Sequence, residues 1–191
     1  MDENALTEST APLSPGIEDE PKLISAAQRD PAEFTALYDR YFRPVYRYLY
    51  SRVGSVPEAE DLTAQTFLAA LEALPRYRHR GRFAAWLFTI ARNKIRDHYR
   101  HSSPSASLDE NRADQAEDPL TQVTRSDQLE QLLELVRGLN EGEQELIRLR
   151  CVAGLSFAEI GASLGRKEEA VKKAYYRLVA RLQRQLEVDH D

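Results

Sequence analysis

Apolar residues recur at intervals of three and four over two stretches of the chain, 21–101 and 126–186. Positions with this spacing share one face of an α-helix, so each stretch is predicted to form a small set of amphipathic helices. In the first stretch, the predicted helices are 31–54, 57–75 and 83–101. The middle helix is expected to bury Ala64, Phe67, Leu71 and Leu74.

The second stretch opens with leucines spaced along a helix from Leu129 to Leu139. Shorter helices are predicted at about 142–152, 156–164 and 168–186. Residues 102–125 hold few apolar side chains and two prolines, which is typical of a linker. Residues 1–20 are predicted to be a disordered acidic tail, and 187–191 an acidic end. The predicted fold class is therefore all-α, with two small helical domains joined by a flexible linker.

The net charge of −5 at pH 7, taken alone, argues against nucleic-acid binding. The charge is distributed unevenly, however. Residues 76–101 carry eight Arg or Lys against one Asp, and residues 151–186 carry a net +4. Two basic blocks on an otherwise acidic chain indicate two surfaces for polyanions. Solvated helix faces give the same pattern, so charge alone leaves both interpretations open.

The second basic block contains a helix-turn-helix pattern. Ser156 and Glu159 have the spacing of a capping box, which predicts a helix start at Ser156. Gly165 suits the left-handed position that ends such a helix. The next helix is predicted to bury Val171, Ala174, Tyr175, Leu178 and Leu182 and to expose Lys172, Lys173, Tyr176, Arg177 and Arg181. A polar helix face of this kind can enter the DNA major groove. An ordinary helical hairpin with a charged surface is the alternative.

The first basic block is interleaved with aromatic residues. Single-stranded nucleic acid is held by cations along its backbone and by flat side chains around unstacked bases. The aromatic residues in or near the block are Tyr77, Phe83, Trp86, Phe88 and Tyr99. For Phe83 and Trp86, a place in the protein core is the competing interpretation. For the loop cations Arg78, His79, Arg80 and Arg82, the competing interpretation is simple solvation.

The sequence contains no pattern typical of an enzyme or a metal site. P-loop and GxGxxG motifs are absent. His98 and His101 lie beside Asp97, but a metal would need more ligands than these surroundings offer. The single cysteine, Cys151, excludes an intrachain disulfide and is predicted to be a small buried hydrophobe. We therefore expect neither catalysis nor a cofactor.

The location of the protein is predicted from what the chain lacks. The N-terminus is acidic with no apolar stretch behind it, so no secretion signal is visible. The longest apolar stretches are too short to span a membrane. We expect a cytoplasmic protein with no membrane insertion.

Three segments in this order resemble bacterial RNA polymerase sigma factors of the sigma-70 family. Residues 60–68 (EDLTAQTFL) resemble one segment of region 2. Residues 86–93 (WLFTIARN), followed by 97–100 (DHYR), resemble another. Residues 154–165 resemble the helix-turn-helix of region 4. Two domains with only a linker between them match the compact extracytoplasmic-function (ECF) group.

The resemblance implies binding to core RNA polymerase and to promoter DNA. The residues implied to contact the β′ clamp are Glu60, Asp61 and Gln65. Those implied to bind the −10 element, where a base is flipped out of the non-template strand, are Arg78, His79, Arg80, Arg82, Trp86, Arg92, Asn93, Arg96 and Arg100. Those implied to bind the −35 element are Lys167, Lys172, Lys173, Tyr176, Arg177 and Arg181. The β flap and an anti-sigma factor are further implied partners.

The sequence departs from the family pattern at three positions. Ala64 stands where the clamp helix usually has Gln, which weakens any assignment there. Lys167 replaces a capping Ser at the start of the recognition helix, so Glu168 or the turn backbone must satisfy the first amides. Ala174 replaces an arginine, so the −35 contacts are expected to differ from those of relatives.

Two other functions compete with that of a promoter-specificity subunit. One is a stand-alone helix-turn-helix regulator that binds duplex DNA without polymerase. The acidic helix at 58–65 and the aromatic basic block argue against it, because a duplex reader needs neither. The other is an interaction protein that has kept the fold and lost promoter opening.

Overall fold

The computed structural model describes residues 19–78, 81–102 and 127–188. Over these ranges the chain is helical, with 3₁₀ turns at Pro31–Glu33 and Leu74–Arg76 and a π-helical turn at Arg148–Val152. The α-helices are α1 (Glu20–Arg29), α2 (Phe34–Val53), α3 (Val56–Ala73), α4 (Phe83–Ser102), α5 (Asp127–Arg137), α6 (Glu141–Ile147), α7 (Phe157–Leu164) and α8 (Glu168–Val188). The predicted all-α fold class is confirmed.

The predicted tail at 1–20 and linker at 102–125 fall almost wholly outside the described residues, as do 189–191 of the predicted acidic end, whereas 187 and 188 belong to α8. These three assignments stay predictions. Within the described ranges, no helix has the length and apolar character needed to cross a bilayer.

The helix boundaries in the N-terminal half follow from local chemistry. Gly54 has φ +68°, a left-handed conformation that ends α2, and its N–H donates to the carbonyl of Tyr50 at 2.8 Å. Ser55 then caps α3, accepting from the N–H of Glu58. The sharp turn at Gly54 lets α2 and α3 pack against each other as neighbours, with α4 against both.

The buried face of α3 differs from the predicted one. Phe67 and Leu74 are buried as expected, but Ala64 is exposed and Leu71 is only half-buried. Thr63 and Thr66 are buried instead, because their hydroxyls donate to carbonyls one turn earlier in the helix, at 2.6 and 2.7 Å. A hydroxyl satisfied within its own helix can enter an apolar core without an unpaired polar group.

The C-terminal half is a set of short helices with strong caps. Ser156 and Glu159 form the predicted capping box at the start of α7, and Asn140 and Glu143 form a second one at α6. Gly165 ends α7 in the left-handed region at φ +66°, as predicted. Helices α7 and α8 pack together as the two arms of the helix-turn-helix.

The predicted burial of Cys151 is wrong. The side chain is exposed, and its Sγ lies 3.5 Å from the Tyr175 hydroxyl. The cause is the π-helical turn at Arg148–Val152, which inserts one residue into the turn and rotates the positions after it. A constant helical period places Cys151 with Ile147 on the apolar face, whereas the π turn directs it outward.

The described residues of the two halves pack against each other. Helix α4 contacts α7, and α2 contacts the π-helical turn. The main apolar core is continuous between the halves, since it joins residues such as Phe88 of α4 with Leu149 and Ile160 of the C-terminal half. Helix α4 therefore has two buried faces, one within the N-terminal half and one against the C-terminal half.

Gly161 is required by the close approach of α7 to the following turn. A Cβ at this position would lie 2.7 Å from the carbonyl oxygen of Arg166 and 3.3 Å from the N–H nitrogen of Glu168. Both neighbours are backbone atoms and cannot rotate away. We expect Gly161→Ala to lower the free energy of unfolding by about 1–3 kcal/mol, measured by urea denaturation.

Gly142→Ala is the matched control. Its Cβ would meet Asn140 Oδ1 at 3.5 Å, an ordinary contact inside α6. Alanine there should be neutral or stabilising by about 0.4–1 kcal/mol. Equal effects of the two substitutions would contradict the close approach at Gly161.

Candidate nucleic-acid and partner interfaces

The three predicted clamp residues lie on one exposed face of α3. Glu60, Asp61 and Gln65 are all exposed, and Gln65 Nε2 donates to Asp61 Oδ2 at 2.7 Å. This hydrogen bond orients the Asp61 carboxylate without neutralising it. Leu68, one turn further on, is 58% exposed, an unusual value for a leucine in a packed helix. We call the four residues the α3 face: an acidic patch ending in an apolar side chain.

Leu68 is a residue that the motifs of the sequence do not single out. The sequence nonetheless indicates that Leu68 is exposed, because it directly follows the buried Phe67 and so lies on a different side of the helix. The periodicity of α3 therefore places Leu68 outward, although as the last residue of the motif at 60–68 it was not selected as a contact residue.

The loop before α4 carries the predicted cations next to an aromatic cluster. Arg78 and Arg82 are exposed, whereas His79 and Arg80 lie outside the described residues. Phe83 is fully buried, so it is a core residue, and Trp86 is half-buried. The Trp86 ring lies 4.6 Å from that of Tyr77 and 5.3 Å from that of Phe83.

Helix α1 anchors this loop through Gln28. Its Nε2 donates to the carbonyls of Leu74 and Tyr77, at 3.0 and 2.7 Å. The two ends of this contact are far apart in the sequence, so no local pattern could predict it. It holds the backbone of Tyr77, whose ring packs against that of Trp86.

Besides Trp86, four predicted −10 residues lie along α4, and the structure separates these four into two groups. Asn93, Arg96 and Arg100 are exposed; Arg96 donates to Asn93 Oδ1 at 3.0 Å, and Arg100 pairs with Asp97 at 3.2 Å. Arg92 instead faces the C-terminal half. Its Nε donates to Glu145 Oε1 at 2.8 Å, and its Nη1 donates to the carbonyl of Ser163 at 2.9 Å.

Glu145 is the centre of a charged cluster between the halves. Although it is a carboxylate, it is only 8% exposed. Besides Arg92, the Tyr48 hydroxyl donates to its Oε1 at 2.8 Å, and Arg52 pairs with its Oε2 at 3.8 Å. Arg52 also pairs with the half-exposed Glu141 at 3.5 Å. No sequence pattern indicates this cluster, because its members lie on α2, α4 and α6.

Burial and charge shift the ionisation of the cluster. Burial, and then the negative charge of Glu145, raise the pKa of the Tyr48 hydroxyl well above its ordinary value. Burial is the largest single effect on Arg52 and would lower its pKa, but the charge of Glu145 together with smaller effects of other neighbours outweighs it, and the net shift is upward. Burial, and then repulsion from Arg52, lower the pKa of Arg148. The cluster thus holds more positive charge than its single buried carboxylate can balance.

The predicted −35 residues form the outer face of α8. Lys172, Lys173, Tyr176 and Arg177 are all exposed, and Lys167 is exposed in the turn before the helix. Arg181 lies one turn further along and pairs with Glu143 of α6 at 2.8 Å, so part of its charge is already satisfied within the protein.

At the start of α8, the N–H of Ala170 donates to the carbonyl of Lys167 at 3.0 Å. The N–H of Val171 donates to the same carbonyl at 3.1 Å, which is the ordinary first bond of the helix. Of the two possibilities that the sequence left open for the missing Ser, the turn backbone supplies the contact of Ala170. The exposed lysine side chain is thereby left to point into solvent.

No group of three or more His, Cys, Asp or Glu residues within the described ranges could hold a metal ion. His98 lies 3.5 Å from Glu58 across α3 and α4, and His101 is exposed at the end of α4. The pair therefore does not converge on one point.

Both halves of the chain match models of known protein families. The sigma-70 region 2 family model matches residues 37–104, and the sigma-70 region 4 model matches residues 129–182. The ECF RNA polymerase sigma factor BldN of Streptomyces coelicolor is 42% identical over 176 residues, which is 88% of this chain and 66% of BldN. The ECF sigma factor SigD of Mycobacterium tuberculosis is 36% identical over 148 residues, covering 72% of this chain and 69% of SigD.

A solved structure supports the same assignment. CnrH in complex with the cytosolic domain of CnrY is 26% identical, with a TM-score of 0.62, and the match covers 88% of this chain and 97% of CnrH. Together the two regions define a two-domain protein of the sigma-70 class. The chain belongs to the ECF RNA polymerase sigma factors. The family predicted from the sequence is confirmed, and a sigma-factor function is favoured over that of a stand-alone regulator.

The raised pKa of Tyr48 predicts a loss of stability at high pH. Above about pH 10 the unfolded chain loses the tyrosine proton while the folded chain keeps it. The free energy of unfolding should therefore fall as pH rises, by up to about 1.4 kcal/mol per pH unit from this one group. Tyr48→Phe should make the fall less steep, measured by urea denaturation between about pH 9 and 11.

Phe88→Leu is the control for this experiment. The Phe88 ring packs against that of Tyr48 at 5.4 Å, so the substitution weakens the same core without removing an ionisable group. It should lower stability at every pH and keep the wild-type slope. Parallel pH curves for wild type and Tyr48→Phe would contradict the raised pKa.

Proposed function

We propose that this chain binds core RNA polymerase through the α3 face and directs it to promoters through two separate basic surfaces. The observation that carries the proposal is the separation of these surfaces. An exposed acidic face on α3, an aromatic basic loop before α4 and a basic outer face on α8 occur on one chain of the ECF family. The protein acts in the cytoplasm, without catalysis of its own and without a cofactor.

Polymerase binding is assigned to Glu60, Asp61, Gln65 and Leu68. Exposed carboxylates steer a basic partner surface and set its orientation. The exposed Leu68 supplies apolar area at the end of the same face, which gives the contact a part from which water is excluded. The β′ clamp is the partner that the family motif at 60–68 implies.

The −10 element is assigned to the loop before α4 and the exposed side of α4. Flipping a base out of a duplex costs a few kcal/mol, which phosphate contacts and polymerase binding must offset. Arg78, Arg82, Arg96 and Arg100 are exposed cations that can neutralise phosphates, and the half-buried Trp86 lies at the start of α4, the helix that follows the loop. His79 and Arg80 complete the set by their place in the sequence.

The −35 element is assigned to the outer face of α8, which would lie in the major groove. Lys172, Lys173 and Arg177 supply charge, and Tyr176, which is 52% exposed, supplies an aromatic ring. The C-terminal half would also contact the β flap. An anti-sigma factor is proposed as a further partner, since the structural relative CnrH was solved with the cytosolic domain of CnrY.

Reversing the charge of Asp61 tests the polymerase contact. We expect Asp61→Arg to abolish binding to core polymerase at physiological salt, because a cation would meet the basic partner surface. Binding is measured with purified components, and circular dichroism checks that helix content is kept. Glu33→Arg makes the same charge change on an exposed residue outside α3 and should bind as wild type. Wild-type affinity in Asp61→Arg would exclude the α3 face.

Removing two lysines tests the −35 contact. Lys172→Ala with Lys173→Ala should weaken duplex binding and reduce the salt dependence of the affinity by about one to two units, at about 0.9 for each phosphate that a lysine no longer neutralises. Arg181→Ala is the control: its partner Glu143 lies 2.8 Å away, so its removal should change the salt slope less. A salt slope that the double variant leaves unchanged would place the duplex contacts elsewhere.

A further inference from the structure

An acidic residue lies on the basic outer face of α8. Glu169 is exposed and lines a shallow depression on this face together with Lys172, Lys173, Tyr176 and Arg177. We propose that Glu169 is a base-reading residue, whose carboxylate accepts a hydrogen bond from the amino group of a cytosine in the DNA major groove. This inference rests on the proposed binding of α8 to the −35 element, and it names a base that the helix selects.

The position of Glu169 along α8 suits a base contact. It is the second residue of the helix, and in a helix-turn-helix the N-terminal residues of the second helix contact the base edges. Lys172 and Lys173 follow Glu169 at three and four residues, so all three share one side of the helix. The helix therefore presents a carboxylate near its start and cations further along the same side.

The adjacent Glu168 has different surroundings. Its backbone lies against α7, since a Cβ at Gly161 would come within 3.5 Å of the Glu168 Cα. Both glutamate side chains are exposed, but it is Glu169 that lines the depression on the outer face. The two residues carry the same charge in the same turn of helix and differ in their place relative to the DNA-binding face.

The Glu169 carboxylate is available to a ligand. Within the described residues it forms no hydrogen bond or ion pair, although two lysines lie one turn further on. Glu143, by contrast, is already paired with Arg181 at 2.8 Å. An acid in the first turn also favours the helix dipole, but Glu168 and Glu169 share that role, and it does not require either side chain to lie on the outer face.

A carboxylate on a DNA-binding face is repelled by the phosphates, so it lowers the affinity for every duplex alike. Lys172, Lys173 and Arg177 outnumber Glu169, and the face stays positive in sum. What the carboxylate adds is discrimination. It accepts from a base that presents an amino group, and it is repelled by bases that present only acceptors at the same place.

The edges of the bases in the major groove favour cytosine. Cytosine presents its N4 amino group, which is a donor, whereas guanine presents N7 and O6 and thymine presents O4, all of which are acceptors. Adenine presents an amino group beside the acceptor N7, and N7 repels a carboxylate that approaches the pair. Cytosine is therefore the base that Glu169 selects.

The ring of Tyr176 gives the depression a fixed apolar side. Tyr176 is 52% exposed, and its ring lies 5.9 Å from that of Phe157 and 5.9 Å from that of Tyr175. The Arg150 guanidinium packs over the Phe157 ring at 4.7 Å. These contacts hold Tyr176 in place beside Glu169. Apolar surface next to a carboxylate excludes water when DNA is bound, which strengthens the hydrogen bond to the base.

The test is a selection by the full chain from duplexes in which a block of about ten base pairs, one helical turn, is randomised. The base frequencies at each position are compared between wild type and Glu169→Gln. We expect the wild type to enrich cytosine at one position. Glu169→Gln should enrich adenine there instead, because a glutamine amide pairs with adenine N6 and N7. In competition between duplexes that differ at this base pair, the preference for cytosine should be about tenfold and should reverse in the variant.

Glu168→Gln is the matched control, since it removes the same charge one residue away. Both glutamine variants should bind every duplex more tightly than wild type, because each removes a charge that repels phosphate. Only Glu169→Gln should change the selected base. Glu169→Ala should abolish the preference for cytosine without creating one for adenine, since alanine has no hydrogen-bonding group.

Two results would overturn the assignment of Glu169 alone. One is a base preference that Glu169→Gln leaves unchanged at every position, and the other is the same change of preference in Glu168→Gln. Neither bears on the −35 function of α8, which the salt slope of the Lys172 and Lys173 double variant tests separately. A wild type that enriches no base at any position would overturn the assignment together with sequence-specific binding by α8.

Discussion

The burial of the Glu145 carboxylate is the constraint on which the arrangement of the two halves depends. Burying a carboxylate costs several kcal/mol of free energy unless hydrogen-bond donors of the protein replace the water. Its donors here are Tyr48, Arg52 and Arg92, and all three belong to the N-terminal half. Glu145 can therefore be buried only when α6 is docked on α2 and α4. Apolar packing stabilises the contact between the halves, and the hydrogen bonds of the Glu145 carboxylate determine which residues of the two halves meet.

The α3 face, the outer face of α8 and helix α4 differ in how far this arrangement exposes them to solvent. The acidic face of α3 and the basic face of α8 both point into solvent, whereas α4 gives up one side to the C-terminal half. One side of α4, including Arg92, is therefore engaged by contacts within the protein in this arrangement.

Local sequence chemistry predicted most of the helices and their ends, although it did not predict α1, and its two errors in burial have identifiable causes. The capping box at Ser156 and the left-handed Gly165 form as predicted, because each depends only on neighbours in the chain. Thr63 was missed as a buried residue, since its hydroxyl bonds within the helix and then behaves as apolar. Cys151 was misplaced because a π-helical turn breaks the constant period that the prediction assumes.

The sequence by itself determined the all-α fold class, the family and the outward face of α8, because these follow from periodicity, caps and contiguous motifs. Only the tertiary structure showed which partners the Arg92 side chain binds. In the sequence it is one more cation in a basic block, equivalent to Arg96. In the structure one turn of helix separates a guanidinium in solvent from one held by Glu145. That partner lies 53 residues away, and no local pattern encodes a contact between elements so far apart in the chain.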